Sequence, residues 1–311
     1  METNQTAKNA LKRGPLAALV AVATMLVSPI QAGPFYSKFK NAIVHDGQGL
    51  EGSASGIPLD LMPGSDTATR LIEEPGTYYL TEDILCEPGK HCVEIRSERV
   101  VLNLNHHTIH GVPGSLSGVF SWGNNDVTVR NGHILDCPEH GVALRFSADV
   151  HVASITVSGC GGVGILLDRS TGSVVDSVAS RNLVGIQLGG GLILGCVARG
   201  SSSSGIQIED GGGLVRQTDS YNNGGAGLSQ LFGSGWTVAE SNFRSNGQHG
   251  ISVCAQNYIR DNFALANEFA GIQLRCGDNV VVRNTVLGNG VGIESLEGSD
   301  TVIDNFGQVG P

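Results

Sequence analysis

The chain carries no lysine after Lys90, so every fixed positive charge in its main body is an arginine. Aromatic residues make up only 5% of the 311 residues, and no long apolar run occurs beyond Val27. Each absence excludes something. With a formal charge of −10 and few basic residues, the chain would repel nucleic-acid phosphates. A bilayer span needs about 20 apolar residues, and the main body has none. No amphipathic helical period appears, which sets helical bundles aside. Scarce aromatics argue against one large globular core. Glycine is abundant instead, at 45 residues, which suits many tight turns around small interior layers.

At the amino end, Lys8, Lys12 and Arg13 precede the apolar run Leu16 to Val27, and Ser28-Pro29-Ile30-Gln31-Ala32 follows. A basic region, a short apolar core and a small residue before the cut describe a secretory signal peptide over residues 1–32. Its removal takes away Lys8, Lys12, Arg13 and Glu2, moving the charge from −10 to −12 (−10 − 3 + 1). A secreted or periplasmic protein is expected.

The main body is a repeat. Glycine-aliphatic-x-aliphatic recurs as GVFS (Gly118), GVAL (Gly141), GILL (Gly164), GIQL (Gly185) and GIQI (Gly205). It continues as GLSQ (Gly227), GISV (Gly250), GIQL (Gly271) and GIES (Gly292), at intervals of 20 to 23 residues. Aliphatic residues alternate with polar ones such as Gln187, Gln207, Ser252 and Gln273, the signature of a strand with one buried face. A second strand-like run precedes each glycine, as in DVTVRN and NVVVRN, followed by polar or turn residues including Asn182, Asn222, Asn246, Asn267 and Asn289. About 21 residues cannot hold a strand and a full helix, whereas two or three short strands fit. A leucine-rich horseshoe lacks its signature here, and a propeller blade needs about twice the period. The reading is an all-β parallel β-helix of about ten coils over residues 100–306. Residues 33–99 form an amino-terminal cap over the open stack end, and 307–311 a tail.

The repeats, above all GIQL…VVVRNTVLGNGVGIES, resemble the right-handed β-helix family of carbohydrate-binding proteins and sugar hydrolases. That family includes pectate-lyase-like enzymes, polygalacturonases, mannuronan epimerases and NosD-type periplasmic proteins. The resemblance implies a right-handed solenoid and outward residues on neighbouring coils as the working surface. It implies an acidic, uronate-containing polysaccharide as partner, with lyase or epimerase chemistry if the protein is an enzyme. The alternative from the same family is a non-enzymatic periplasmic scaffold or assembly factor of NosD type.

The stretch VLNLNHHTIHG resembles the family's first coil, with His106 where glycine is common at a turn. His107 with His133, about one coil on, makes a weak metal pair; turn geometry is the main reading. Polygalacturonase-like members place paired aspartates before a Gly-His-Gly coil. Here His249 echoes the histidine, but Ser203-Ser204 and Gly225-Ala226 stand where the carboxylates belong, so that hydrolysis has no acid and base. An Asp-Pro-His epimerase motif is approached by DCPEHG, Asp136 to Gly141, interrupted by Cys137 and Glu139. His140 and Glu139 are therefore the candidate base and its orienting carboxylate. Arg145, Asp168, Arg169, Glu209, Asp210 and Arg275, at strand-to-turn positions, are candidates for contacting substrate. No cofactor is required on this reading. Ca²⁺ would suit Asp168, Glu209 and Asp210. The same residues also read as solvated corners.

Seven cysteines in an exported chain invite disulfides. Cys86 and Cys92 bracket a Pro-Gly turn and should pair. Cys137 and Cys160, like Cys254 and Cys276, lie one coil apart, within reach of a strained bridge, and their pairing stays open. Cys196 is left as a buried thiol.

Overall fold

The computed structural model describes residues 56–307 apart from residue 210. The signal segment 1–32, Asp210 and nearly all of the tail lie outside the described residues. Among those described, every strand pairing is parallel and joins one coil to the next, and the only helical element is a 3₁₀ turn, Leu59–Leu61. The strands form three columns around a common interior. The first column holds the glycine-aliphatic strands, from Ala68–Ile72 and His91–Ile95 through Val119–Trp122 and Val142–Arg145 to Val291–Ser295. The second includes Val100–Asn103, Trp236–Ala239 and Thr301–Ile303; the third includes Val178–Ser180, Val197–Arg199, Asp219–Tyr221 and Asn242–Arg244. This is a right-handed parallel β-solenoid of about 11 turns.

Alternation within the repeat is carried out in three dimensions. Val119, Val142, Ile165, Ile186, Ile206, Leu228, Ile251 and Ile272 stack in register and are fully buried. Glycine heads each of these strands because the next coil leaves no room. A Cβ on Gly141 would meet Val157 and stand 2.6 Å from the Gly164 carbonyl oxygen.

At the corner between the second and third columns the chain turns through the left-handed region in each coil from Val100–Asn103 onward. His106 (φ 65°), Asn131 (58°), Asp176 (47°), Gly195 (64°) and Asp261 (56°) all belong to this row. His106 is thus a turn residue, placed as expected. His133 registers with Thr108, not with His107, whose Nδ1 instead lies 3.4 Å from Asp83. The two imidazoles were expected to stack; a one-residue offset in register separates them.

The expected extent of the cap needs correction. The parallel ladder already runs through Ala68–Ile72 and His91–Ile95, which pair with each other and then with Val119–Trp122. Residues 68–99 are therefore coils, not a cap, and with them the stack reaches about 11 turns, in line with the about ten coils expected. Cys92 stands where later coils have glycine, and the loop before Gly118 lengthens the interval, which hid these coils from the repeat pattern. Among the described residues, Leu59, inserted into the core with Met62 packed against that core, is placed as a plug near the amino end.

Buried asparagines run along the corners of the carboxyl-terminal half. Asn223 Nδ2 donates to Asn246 Oδ1 (3.0 Å), Asn246 Nδ2 to Asn267 Oδ1 (2.9 Å), and Asn267 Nδ2 to Asn289 Oδ1 (2.9 Å). Parallel ladders join Asn257, Asn279 and Asp300, and Asn262, Asn284 and Asn305. Each amide satisfies backbone groups that the turns leave unpaired. Asn223, not the turn residue Asn222 (φ 54°), is the ladder member.

Cys86 and Cys92 form a disulfide with their Cα atoms 4.7 Å apart. Cys137 and Cys160 occupy the ladder's position in earlier coils, as buried thiols in hydrogen-bonding contact. That contact, with burial, pushes the Cys137 thiol far up. Cys196 is buried against the Val174 carbonyl, and burial pushes its pKa up to about 12.

Candidate functional site

The outward side of the first column gathers the chemistry. One outward row, in register, contains Trp122, Arg145 and Asp168. Arg145 donates to Asp168 through Nε (2.9 Å) and Nη2 (2.7 Å), and its guanidinium lies 5.4 Å from the centre of the Trp122 ring. At the following turn Phe146 sits against Trp122, ring centroids 4.5 Å apart, and the Arg169 guanidinium lies 5.3 Å from the Phe146 ring.

Backbone conformation at Phe146 and the exposure of both rings set this surface apart. Phe146 (φ 55°) and Arg169 (φ 48°) adopt the left-handed backbone that Gly123 (φ 74°) adopts one coil earlier. A bulky residue there is strained, and such strain collects at binding sites. Trp122 and Phe146 are 55% and 40% exposed, which for large apolar rings on a polar surface is informative.

Beside them, His140 has a defined role. Its Nδ1 accepts the Val163 N–H at 3.0 Å, one coil on. His91 and His249 hold the same coil position and do the same for the Ser117 N–H (3.2 Å) and the Ala270 N–H (3.2 Å). Burial pushes all three imidazoles below 6.5 and keeps them neutral; at His140 Glu139 and Asp168 pull upward, while Arg145 adds to the depression. With Nδ1 occupied as an acceptor, neutral His140 presents Nε2–H, a donor. It lacks the free lone pair a general base needs. Glu139 is exposed and accepts from Ser117 Oγ (3.2 Å), so no bond joins it to His140 as an orienting partner. His249 is the same amide cap, which explains the polygalacturonase echo without catalysis.

The remaining candidates disperse. Glu209 accepts from Gln187 (2.8 Å), and its carbonyl takes the Trp236 indole N–H (2.6 Å). It stands two coils from Asp168, about 10 Å at the usual strand spacing. The two carboxylates have separate partners, Asp168 being held by Arg145 and Glu209 by Gln187. Arg275 lies further along the stack, donating to the Gln230 carbonyl and lying 3.3 Å from Cys254 Sγ. The structure therefore unites Glu139, His140, Arg145, Asp168 and Arg169, and separates Glu209 and Arg275 from them.

Sequence reasoning missed the rings. Trp122 occupies the repeat position of Arg145, four residues after its glycine, and aligning the coils on glycine would have exposed it. Phe120, stacked on His91 with centroids 4.2 Å apart, extends the apolar strip.

A solenoid of this build belongs to a recognisable class of stacked parallel coils. The chain belongs to the right-handed β-helix family, whose description is "Right handed beta helix region" and which matches residues 80–191 and 180–306. Solved structures of similar fold include the A-module of the Azotobacter vinelandii mannuronan C-5 epimerase AlgE4. That match has TM-score 0.55 and 15% identity, covering 75% of this chain and 86% of that one. The A-module of AlgE6 from the same organism matches at TM-score 0.54 and 14% identity, covering 83% and 88%. A mutant of the periplasmic alginate epimerase AlgG matches at TM-score 0.56 and 13% identity, covering 76% of each chain. At these identities the likeness is one of fold. No curated protein matches the sequence. No helix among the described residues is long and apolar enough to cross a membrane.

Proposed function

We propose that the protein is exported and binds an acidic, uronate-containing polysaccharide along the outward side of its first column. The observation that carries this reading is the exposed Trp122–Phe146 ring pair flanked by Arg145 and Arg169. Aromatic faces pack against the apolar faces of sugar rings, and guanidinium groups take carboxylates by charge-assisted hydrogen bonds. His140 Nε2–H adds a donor at the other end of the same strand, Val142–Arg145. Elimination or epimerisation at a uronate C5 needs a base and a cation for the developing carboxylate charge. Arg169 suits the second role, Arg145 being already paired with Asp168, whereas His140 does not suit the first, so binding is the better-supported reading. No ion is required for it, since Asp168 is already neutralised by Arg145.

The test is affinity for alginate and pectate, with and without a chelator, for the natural protein and for Trp122→Ala. Loss of an exposed aromatic anchor should weaken binding at least about tenfold. The chelator should change nothing. Equal affinity of the variant would remove this surface from the function. Rising ultraviolet absorbance from unsaturated uronate, or an altered uronate ratio by NMR, would instead establish an enzyme.

A further inference from the structure

A second charged surface lies on another column. A cleft of about 330 Å³ on the outside of the third column is lined by Ser180, Arg181, Arg199, Gly200, Tyr221 and Asn222. Ser180, Arg199, Tyr221 and Arg244 are register partners on four successive coils, so they rise as one row at about 4.8 Å per step. Arg181, in the turn after Ser180, donates through Nη2 to Ser158 Oγ (3.0 Å), which anchors its head beside the row. The Arg244 guanidinium lies 4.1 Å from the centre of the Tyr221 ring, which fixes it by cation–π contact.

Among the described residues, none of Arg181, Arg199 and Arg244 has a carboxylate partner. Further along the stack other arginines are matched: Arg216 to Glu240, Arg260 to Asp261, and Arg283 to Asp261. The nearest acid on these strands is Asp219, two residues before Tyr221, and its carboxylate is held by Asn242 Nδ2 at 2.6 Å. Three unneutralised guanidiniums therefore gather in a chain whose net charge is −10. Like charges so close repel, and that repulsion is relieved by an anion between them.

We propose that Arg181, Arg199, Tyr221 and Arg244 form a second binding site, for the carboxylate groups of an acidic oligosaccharide, on a different column from the Trp122 surface. Arg199 and Arg244, two coils or about 10 Å apart, take successive anionic groups of an extended chain, and the Tyr221 ring lies between them. The identity of the polymer rests on the function proposed above; the anion preference does not.

Calorimetric titration tests both independently, using a uronate hexamer, its carboxyl-reduced neutral counterpart, and inorganic sulfate. The proteins compared are the natural chain, the double variant Arg199→Gln/Arg244→Gln, and Trp122→Ala. The replaced arginines are exposed, and unchanged melting temperature confirms folding. The natural protein should bind the hexamer at two classes of site, one strongly weakened by salt. The double variant should weaken that class at least about tenfold, and Trp122→Ala should retain it. The neutral counterpart should not occupy it. An unchanged salt-sensitive class in the double variant overturns the proposal, as does equal binding of the neutral hexamer there. Loss of all hexamer binding in Trp122→Ala also overturns it while leaving the first surface standing. If only the double variant loses binding, the first surface fails and the cleft stands. Sulfate bound at the cleft without any hexamer binding there would make it a site for simple anions, against the proposal.

Discussion

Arg145 and Asp168 stand one coil apart on the same outward row, and two guanidinium nitrogens converge on a single carboxylate oxygen, Oδ2. The pair is partly open to water, with side chains 34% and 16% exposed, so it adds only about 0–1 kcal/mol to stability. Its larger effect is on ligand charge. Asp168 both holds Arg145 over Trp122 and cancels its charge. We expect Asp168→Asn to leave melting within a few degrees and to tighten binding of a polyuronate about two- to tenfold at low salt. Weaker binding would mean that Asp168 acts mainly by positioning Arg145.

The three amide-capping histidines predict a pH dependence of stability. In the folded chain their pKa values lie below 6.5, chiefly through burial, so in the window between the folded values and 6.5 the unfolded chain holds more protons. Stability from this source is complete above about pH 6.5 and falls as pH drops through the window toward the folded pKa values. Melting temperature should therefore decline between about pH 7 and 5. In a His91→Gln/His140→Gln/His249→Gln variant, where the side-chain carbonyl can replace Nδ1 as acceptor, the decline should be shallower. An identical decline would assign it to other groups.

These residues also show what was legible in the sequence. The glycine-aliphatic pattern is a direct consequence of coil packing, since a Cβ on Gly250 would stand 2.5 Å from the Gly271 carbonyl oxygen, and so the fold could be read from it. Arg145 and Asp168 share a place in the repeat, with Arg169 one residue on, and were found for that reason. The histidine caps were not legible, because acceptance of an amide from the next coil leaves no local pattern. Neither was the Trp122–Phe146 pair, which depends on a left-handed phenylalanine at a turn that the previous coil makes with glycine. The amino-terminal coils escaped because Cys92 replaces the marker glycine.

Removal of the Cys86–Cys92 bridge should destabilise the amino-terminal coils by about 2 kcal/mol, the chain-entropy value for a short loop. In a solenoid each coil contacts chiefly its neighbours, so the loss should stay local. Hydrogen exchange in a Cys86→Ala/Cys92→Ala variant should rise in residues 68–103 while the strands near Gly250 keep their protection. Uniform loss along the stack would show long-range cooperativity instead.

Adjacent asparagines give the sharpest test of the ladder. Asn246 accepts from the Asn223 backbone (3.2 Å) and Asn223 Nδ2 (3.0 Å), and donates to the Ser220 carbonyl (3.2 Å) and Asn267 Oδ1 (2.9 Å). Asn246→Ala removes these four bonds at a fully enclosed corner and strands donors and acceptors on both neighbouring coils. Leaving buried polar groups unpaired costs about 1–3 kcal/mol each, reduced here because Asn223 Nδ2 keeps the Ala198 carbonyl at 3.3 Å. A loss of about 2–4 kcal/mol is expected, with faster hydrogen exchange on the coils holding Asn223 and Asn267. Asn222→Ala is the control. Its side chain is exposed, and only its left-handed backbone (φ 54°) disfavours alanine, by about 1 kcal/mol. Chemical denaturation of the two variants should therefore separate them clearly. Equal midpoints would mean that water replaces the ladder amides, and that backbone pairing and the aliphatic stack alone hold these coils together.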